Sequence, residues 1–321
     1  MFIRNSLLFC GLALCGTTIT GQASAQYLFS TFDGPITGDT EAYGVNTNRV
    51  VTGYYALPNG NTAGFTYQAG LLSTVNVPLL NGTSLFQINN AGLAAATYGD
   101  VNGVAQPATY NTTNQTFTYL PTIPNSTSTF AAGINNTGAV AGTYTTNPNG
   151  FSDLQGWIYK GSAYSFFNLP GGDSFYINIL SLNDAGEIVT TVEDGSSELH
   201  GLLIDGGTDT QIDVPGAAST FAFGINNDGE IVGRYKLNGV IHGYLDINGQ
   251  FTTIDVPGAA DTWVTSINDR GDVAGFYDDA AGNYHGFLGQ AVPEPGVGLF
   301  LAGMGLYGGI LSRRRMRCRF L

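Results

Sequence analysis

An all-β chain closed as a six-bladed propeller is the fold this sequence predicts, and three observations carry the prediction. A unit marked by an asparagine recurs six times, at Asn46, Asn89, Asn135, Asn183, Asn226 and Asn268, at spacings between 42 and 48 residues. Each unit holds four short alternating stretches, which is the period of a propeller blade. The last unit stops short, and the start of the chain supplies what it lacks.

The clearest unit shows the elements in order. The approach Phe223-Gly224-Ile225 to Asn226 is the first strand, and Glu230-Ile231-Val232-Gly233-Arg234-Tyr235 is the second. His242 to Ile247 supplies the third and Phe251 to Val256 the fourth, ended by Pro257-Gly258. Between the first two sits Asn-(Asn/Asp)-x-Gly, residues that accept the left-handed backbone of a tight hairpin. The sixth unit breaks off at Gly289 without a fourth strand. Leu28 to Phe32 aligns with that missing strand, because "YLFSTFDGP" matches "GQFTTIDVPG". Such an arrangement closes a ring and leaves no long unpaired edge. An open solenoid would carry capping units, and none is visible.

These units resemble the HAF repeats of secreted bacterial proteins, most closely from Asn183 to Gly289. His285-Gly286-Phe287 matches the motif directly, and His242-Gly243-Tyr244 and His200-Gly201-Leu202 match it nearly. Earlier units depart with Ala63-Gly64-Phe65, Gln106-Pro107-Ala108 and Gln155-Gly156-Trp157. The resemblance implies an exported propeller and assigns no activity.

Two export signals flank the repeats. Residues 1–25 read as a signal peptide: Arg4, an apolar stretch from Leu7 to Leu14, and the cleavage pattern Ala23-Ser24-Ala25 before Gln26. The rival reading, a lipoprotein signal ending at Cys15, has Leu14 where a small residue belongs. At the other end, Pro293-Glu294-Pro295 is followed by sixteen uncharged residues, Gly296 to Leu311, then by Arg313, Arg314 and Arg315. That tail, 292–321, resembles the PEP-CTERM sorting signal of Gram-negative bacteria. The resemblance implies a short transmembrane sorting helix, transient anchoring in the inner membrane, and processing at the motif by an exosortase-type enzyme. The alternative to removal is a permanent C-terminal anchor. The propeller itself occupies 26–291.

Between the signals the composition narrows the function. All three cysteines, Cys10, Cys15 and Cys318, fall in the terminal segments, so the body has no disulfide to form. The body keeps five basic residues against 23 acids, a surface that repels nucleic acid and anionic polymers. No G-x-S-x-G motif and no free cysteine offers a nucleophile, and no acid stands out of the repeat pattern. His200, His242 and His285 occupy one equivalent position in successive units, so each is expected to make the same local contact rather than to bind metal. The Asn/Asp-Gly turns lack a calcium-loop register. Neither catalytic residues nor a cofactor is therefore expected, and weak calcium contacts are the one cation chemistry the acidity leaves open.

The sequence thus points to a secreted, non-enzymatic cell-surface or extracellular-matrix protein associated with exopolysaccharide or biofilm. Its expected partners are Sec and signal peptidase, the exosortase-type enzyme and the exopolysaccharide. The alternative is a propeller that binds a carbohydrate or protein at its channel mouth, with a hydrolase third. Intact-mass measurement on material exported by the native host should show a chain starting at Gln26 and ending near Pro293–Pro295. Retention of Cys318 in the exported pool would contradict it.

Overall fold

The computed structural model describes residues 26–36, 38–77, 81–147, 154–169 and 181–292. The terminal signals, with Ala23, Ala25, Pro293, Glu294, Pro295 and Arg313, Arg314 and Arg315, lie outside the described residues. Among the described residues every regular element is a strand, and no helix is long and apolar enough to cross a membrane.

The strands form six four-stranded antiparallel sheets. The chain opens with β1 (Gln26–Phe32), which belongs to the last blade. Blade one is β2 (Thr40–Val45), β3 (Val51–Ala56), β4 (Thr62–Gln68) and β5 (Leu71–Val75). Blade two is β6 (Asn81–Ile88), β7 (Leu93–Gly99), β8 (Ala105–Asn111) and β9 (Thr116–Tyr119). Blade three follows as β10 (Ser128–Ile134), β11 (Val140–Thr145), β12 (Gln155–Lys160) and β13 (Ala163–Asn168). Blade four is β14 (Ser181–Leu182), β15 (Ile188–Glu193), β16 (Leu199–Asp205) and β17 (Thr208–Ile212). Blade five is β18 (Ser219–Ile225), β19 (Ile231–Leu237), β20 (Val240–Ile247) and β21 (Gln250–Ile254). Blade six is β22 (Asp261–Ile267), β23 (Val273–Asp278) and β24 (Tyr284–Val292), completed by β1.

The closure read from the repeat is present. Leu28 pairs with Gln290 and Phe32 with Gly286, so the first strand of the body is the outer strand of the last blade. The six first strands stand around the axis, where Val45, Ile88, Ile134, Leu182, Ile225 and Ile267 face one another. Five of them, β2, β6, β10, β18 and β22, carry a register shift near the axial end. A bulge of this kind re-aims a side chain. Gln87 shows the result: its Oε1 accepts the N–H of Ile134 at 3.1 Å and of Leu182 at 3.3 Å, bracing blade two against blades three and four.

The His-Gly-Phe pattern acquires a packing explanation. Phe65, Trp157, Tyr244 and Phe287 are fully buried, each directly across the ladder from a glycine of the second strand: Gly53, Gly142, Gly233 and Gly275. A Cβ on Gly275 would lie 1.9 Å from the Trp263 carbonyl oxygen and 2.9 Å from the Phe287 ring. The motif's own Gly286 sits under Phe32 of the closure strand, 2.4 Å from where its Cβ would be. The Val256-Pro257-Gly258-Ala259 link between blades is a tight turn, with Gly258 at φ +87° and Ala259 N–H donating to the Val256 carbonyl at 3.1 Å. Thr262 Oγ1 accepts the Val256 N–H at 3.2 Å and ties that turn to the next inner strand.

Overpacking of a closed core costs roughly 1–3 kcal/mol, and more where backbone blocks the way. Gly275→Ala should therefore destabilise by at least about 3 kcal/mol in urea denaturation. Gly195→Ala, where a Cβ meets nothing within 4 Å, should cost under about 0.5 kcal/mol.

Candidate functional site

The asparagine that marks each unit sits at the end of the inner strand and is buried in all six blades. Its Oδ1 holds its own turn. In blade three, Asn135 Oδ1 accepts the N–H of Thr137 at 3.1 Å and of Ala139 at 3.0 Å. Its Nδ2 reaches the next blade and donates to the Asn183 main-chain carbonyl at 3.0 Å. The same bond runs around the whole ring. Asn46 donates to Asn89 at 3.1 Å, Asn89 to Asn135 at 3.0 Å, Asn183 to Asn226 at 3.2 Å and Asn226 to Asn268 at 3.2 Å. Asn268 donates back to Asn46 at 2.8 Å, and the circle closes. The left-handed backbone falls only at the fourth turn position, as at Gly138 (φ +81°), and blade one places Arg49 there at φ +58°.

A second, open arc of bonds lies one residue further on and runs from Thr47 to Asp269. Thr47 N–H donates to Asn90 Oδ1 at 3.0 Å, Asn90 N–H to Asn136 Oδ1 at 2.8 Å, and Asn136 N–H to Asp184 Oδ1 at 2.7 Å. Asp184 N–H donates to Asn227 Oδ1 at 2.8 Å and Asn227 N–H to Asp269 Oδ1 at 3.1 Å. Together the ring and the arc reduce this end of the channel to a well of about 40 Å³. That holds a few water molecules, not a sugar ring. At the seam of blades six and one, the Arg49 guanidinium meets the buried Asp272 carboxylate at 3.0 Å, and this hydrogen bond raises the Arg49 pKa.

Toward the opposite end of the channel the lining turns aromatic. Tyr43 and Tyr54 stack at 5.3 Å and both donate to Glu41 Oε2, at 2.6 and 2.9 Å. Burial pushes the Glu41 carboxyl above the ordinary carboxylate range, and the two phenol hydrogen bonds offset part of that rise. The Arg234 guanidinium covers the Phe221 ring at 3.8 Å.

The expected place for a ligand, the channel mouth, is thus shut at the asparagine end. A hollow of about 630 Å³ opens beside it, between blades one and two. Blade one contributes Thr66, Gln68, Leu71 and Ser73, which share one face of the β4–β5 hairpin. Blade two contributes Tyr110 and Thr112, and Asn46 and Asn90 form the inner end. Gln68 is steadied by an Nε2 bond to the Asn48 carbonyl at 3.2 Å, and Thr112 by an Oγ1 bond to the Gly92 carbonyl at 2.9 Å. The lining contains no carboxylate, imidazole, thiol, amine or guanidinium. It is a wall of amides and hydroxyls with a phenol at its base and an exposed leucine at its rim. No motif announces it. The missing histidine does not mark it either, because blades one, two and three all replace it, with Ala63, Gln106 and Gln155.

The three histidines do not converge. Each stands on the third strand of its own blade and pairs through Nδ1 with the aspartate that ends that blade's outer strand. The pairs are His200 with Asp213 at 2.8 Å, His242 with Asp255 at 2.9 Å and His285 with Asp33 at 2.6 Å. Burial alone would lower the His200 and His285 pKa values. Their carboxylate partners, Asp213 and Asp194 for one and Asp33 and Asp279 for the other, outweigh it and raise both. Around His200, Asp194 and Glu198 also bring carboxylates to the exposed hairpin.

No protein-family model matches the sequence, and no curated protein does. Solved structures do match, as folds. AofleA from Arthrobotrys oligospora superposes with a TM-score of 0.53 at 15% identity, over 82% of this chain and 86% of that one. SapL1 lectin in complex with alpha methyl fucoside gives 0.52 at 12%, over 81% and 98%. XC5397 from Xanthomonas campestris, a gluconolactonase, gives 0.52 at 12%, over 84% and 91%. The chain is therefore a six-bladed propeller similar in fold to both a lectin and an enzyme. At these identities the likeness speaks for architecture alone.

Truncating Asn135 leaves the Thr137 and Ala139 N–H groups without their acceptor and takes one of two donors from the Asn183 carbonyl, and each buried orphan costs about 1–3 kcal/mol. Asn135→Ala should cost about 3 kcal/mol or more in urea denaturation. Asn136→Ala, which removes an exposed acceptor for Asn90 and an exposed donor to Asp184, should cost under about 1 kcal/mol.

Proposed function

We propose that this protein is a non-catalytic carbohydrate-binding propeller of the cell surface or extracellular matrix, and that it binds an uncharged glycan in the groove between blades one and two. The observation that carries the reading is the chemistry of that groove. Amide and hydroxyl groups meet sugar hydroxyls as both donors and acceptors, and the Tyr110 ring and Leu71 offer apolar contact to a sugar's C–H face. Glycoside or lactone hydrolysis needs positioned acids and bases, and the groove supplies none. The lectin among the similar folds is consistent with this use of the scaffold.

The terminal signals supply the setting. The protein is exported through Sec, freed by signal peptidase, held briefly in the inner membrane of a Gram-negative cell and sorted by an exosortase-type enzyme into the exopolysaccharide layer. The acidic body would repel acidic polymers there, so neutral glycans are the ones it meets productively. On a glycan array the exported protein should retain neutral glycans in preference to uronic-acid or sulfated ones. Ser73→Trp, which fills the groove from an exposed strand position, should abolish that binding while the melting temperature stays within a few degrees. Full binding by the filled variant would remove the groove from consideration.

A further inference from the structure

The groove does not end at Tyr110. Tyr110 packs against Phe117 at 4.8 Å, Phe117 lies parallel to Tyr119 at 6.4 Å and 11°, and Tyr119 meets Tyr98 edge-on at 5.2 Å. Cross-strand register puts these rings on one face: Tyr110 opposite Phe117, Ala108 opposite Tyr119, and Tyr98 opposite Gln106. Phe117 and Tyr98 pack on a cluster that includes Val75 of blade one, so this face looks toward the groove's other wall. Burial falls along the series. Tyr110 is 6% exposed at the groove, Phe117 is half-buried, and Tyr119 is 52% exposed at the outer edge of the blade.

A half-exposed aromatic ladder continuous with a polar groove is an unusual thing to leave in water. Folding alone does not require its exposed end, because the outer strand of blade five on the same register carries the half-buried Phe251 where blade two has Phe117, but Thr253 where blade two has Tyr119. The surroundings are also nearly free of charge. Between residues 40 and 119 the chain has two acids, Glu41 and Asp100, and one base, Arg49.

We infer that the blade-two ladder is a second subsite, and that the ligand is an internal stretch of a neutral polysaccharide rather than a terminal monosaccharide. The inference rests on the groove holding a sugar, as proposed above. One residue of the glycan sits among the amides and hydroxyls, and the chain runs outward so that a following residue lies on the Phe117–Tyr119 rings. Rigid aromatic platforms lose little side-chain entropy on contact, and Tyr119 keeps a hydroxyl for the wet side of the sugar.

The test is calorimetric titration of the exported protein with neutral gluco- and manno-oligosaccharides, from mono- to hexasaccharide. Affinity should rise about tenfold between mono- and trisaccharide, the scale of one added aromatic contact. Tyr119→Ser should lose that gain, lowering trisaccharide affinity toward the monosaccharide value. Phe166→Ser, which removes a ring of equal exposure from the outer strand of blade three, should keep the gain. Length-independent binding in the wild type, or an equal loss in both variants, would overturn the second subsite while leaving the groove standing. Binding of none of these glycans would sink both.

Discussion

The structure hangs on one repeated hydrogen bond, the donation from each ring asparagine's Nδ2 to the main-chain carbonyl of the next. A buried primary amide brings two donors and an acceptor out of water, and each must find a partner or cost free energy. Here the acceptor oxygen fixes the turn that follows its own inner strand, and the donor fixes the position of the neighbouring blade. Turn geometry and blade spacing are therefore the same constraint. Because the bonds run in one sense around the axis and return from Asn268 to Asn46, no blade can tilt without straining two others.

This explains which positions of the turn vary among the six copies. The first position needs an acceptor aimed at its own turn and a donor aimed at the next blade, on separate atoms of a short side chain, and asparagine alone offers that pair. Asn46, Asn89, Asn135, Asn183, Asn226 and Asn268 accordingly show no exchange. The second position supplies an acceptor for the preceding blade's N–H in blades two to six, so Asn90, Asn136 and Asn227 alternate with Asp184 and Asp269, while Asn136 and Asn227 also donate through Nδ2 to the aspartate that follows. In blades four to six the remaining Nδ2 hydrogen goes to the carboxylate of Glu187, Glu230 or Asp272 in the same turn. The seam, where a ring would first open, is fastened at three radii. Asn268 and Thr265 bond to blade one at the axis, Arg49 holds Asp272 further out, and β1 completes the sheet at the rim.

Most of the architecture was legible because the repeat writes the same physics six times. The blade count, the four strands per unit and the completion of blade six by Leu28 to Phe32 all follow from aligning the chain with itself. Strand boundaries shift by a few residues, and one shift has a clear cause: Glu230 reads as strand but belongs to the turn, its N–H taken by Asn226 Oδ1 and its carbonyl by the Asn226 N–H. The His-Gly-Phe pattern was visible as a motif, but its meaning needed coordinates. The glycine clears space for an aromatic, the aromatic fills the gap between blades, and the histidine holds the aspartate that ends the neighbouring outer strand. The groove was not legible at all. Its residues come from two units, carry no charge, and differ from their counterparts in the other blades, so neither spacing nor chemistry singles them out in one dimension.

The six blades share a backbone but not a surface. Fifteen acids lie between Asp184 and Asp272, so blades four to six form the acidic half of the ring. The histidine–aspartate pairs all stand on these three blades, and the carboxylates there raise the proton affinity of His200 and His285. Blades one and two bear almost no charge and carry the groove and the aromatic ladder. A uniformly acidic ring would surround any binding face with oriented hydration and repulsion, whereas a neutral sector presents hydroxyls and rings at a low desolvation cost. Concentrating the acids on the far blades confines their mutual repulsion to that half of the ring and leaves the groove between blades one and two uncharged. The asparagine ring makes this division possible. By fixing every blade from the axis, it leaves the outer strands free to differ, and on those strands blade two places Tyr119 where blade five has Thr253.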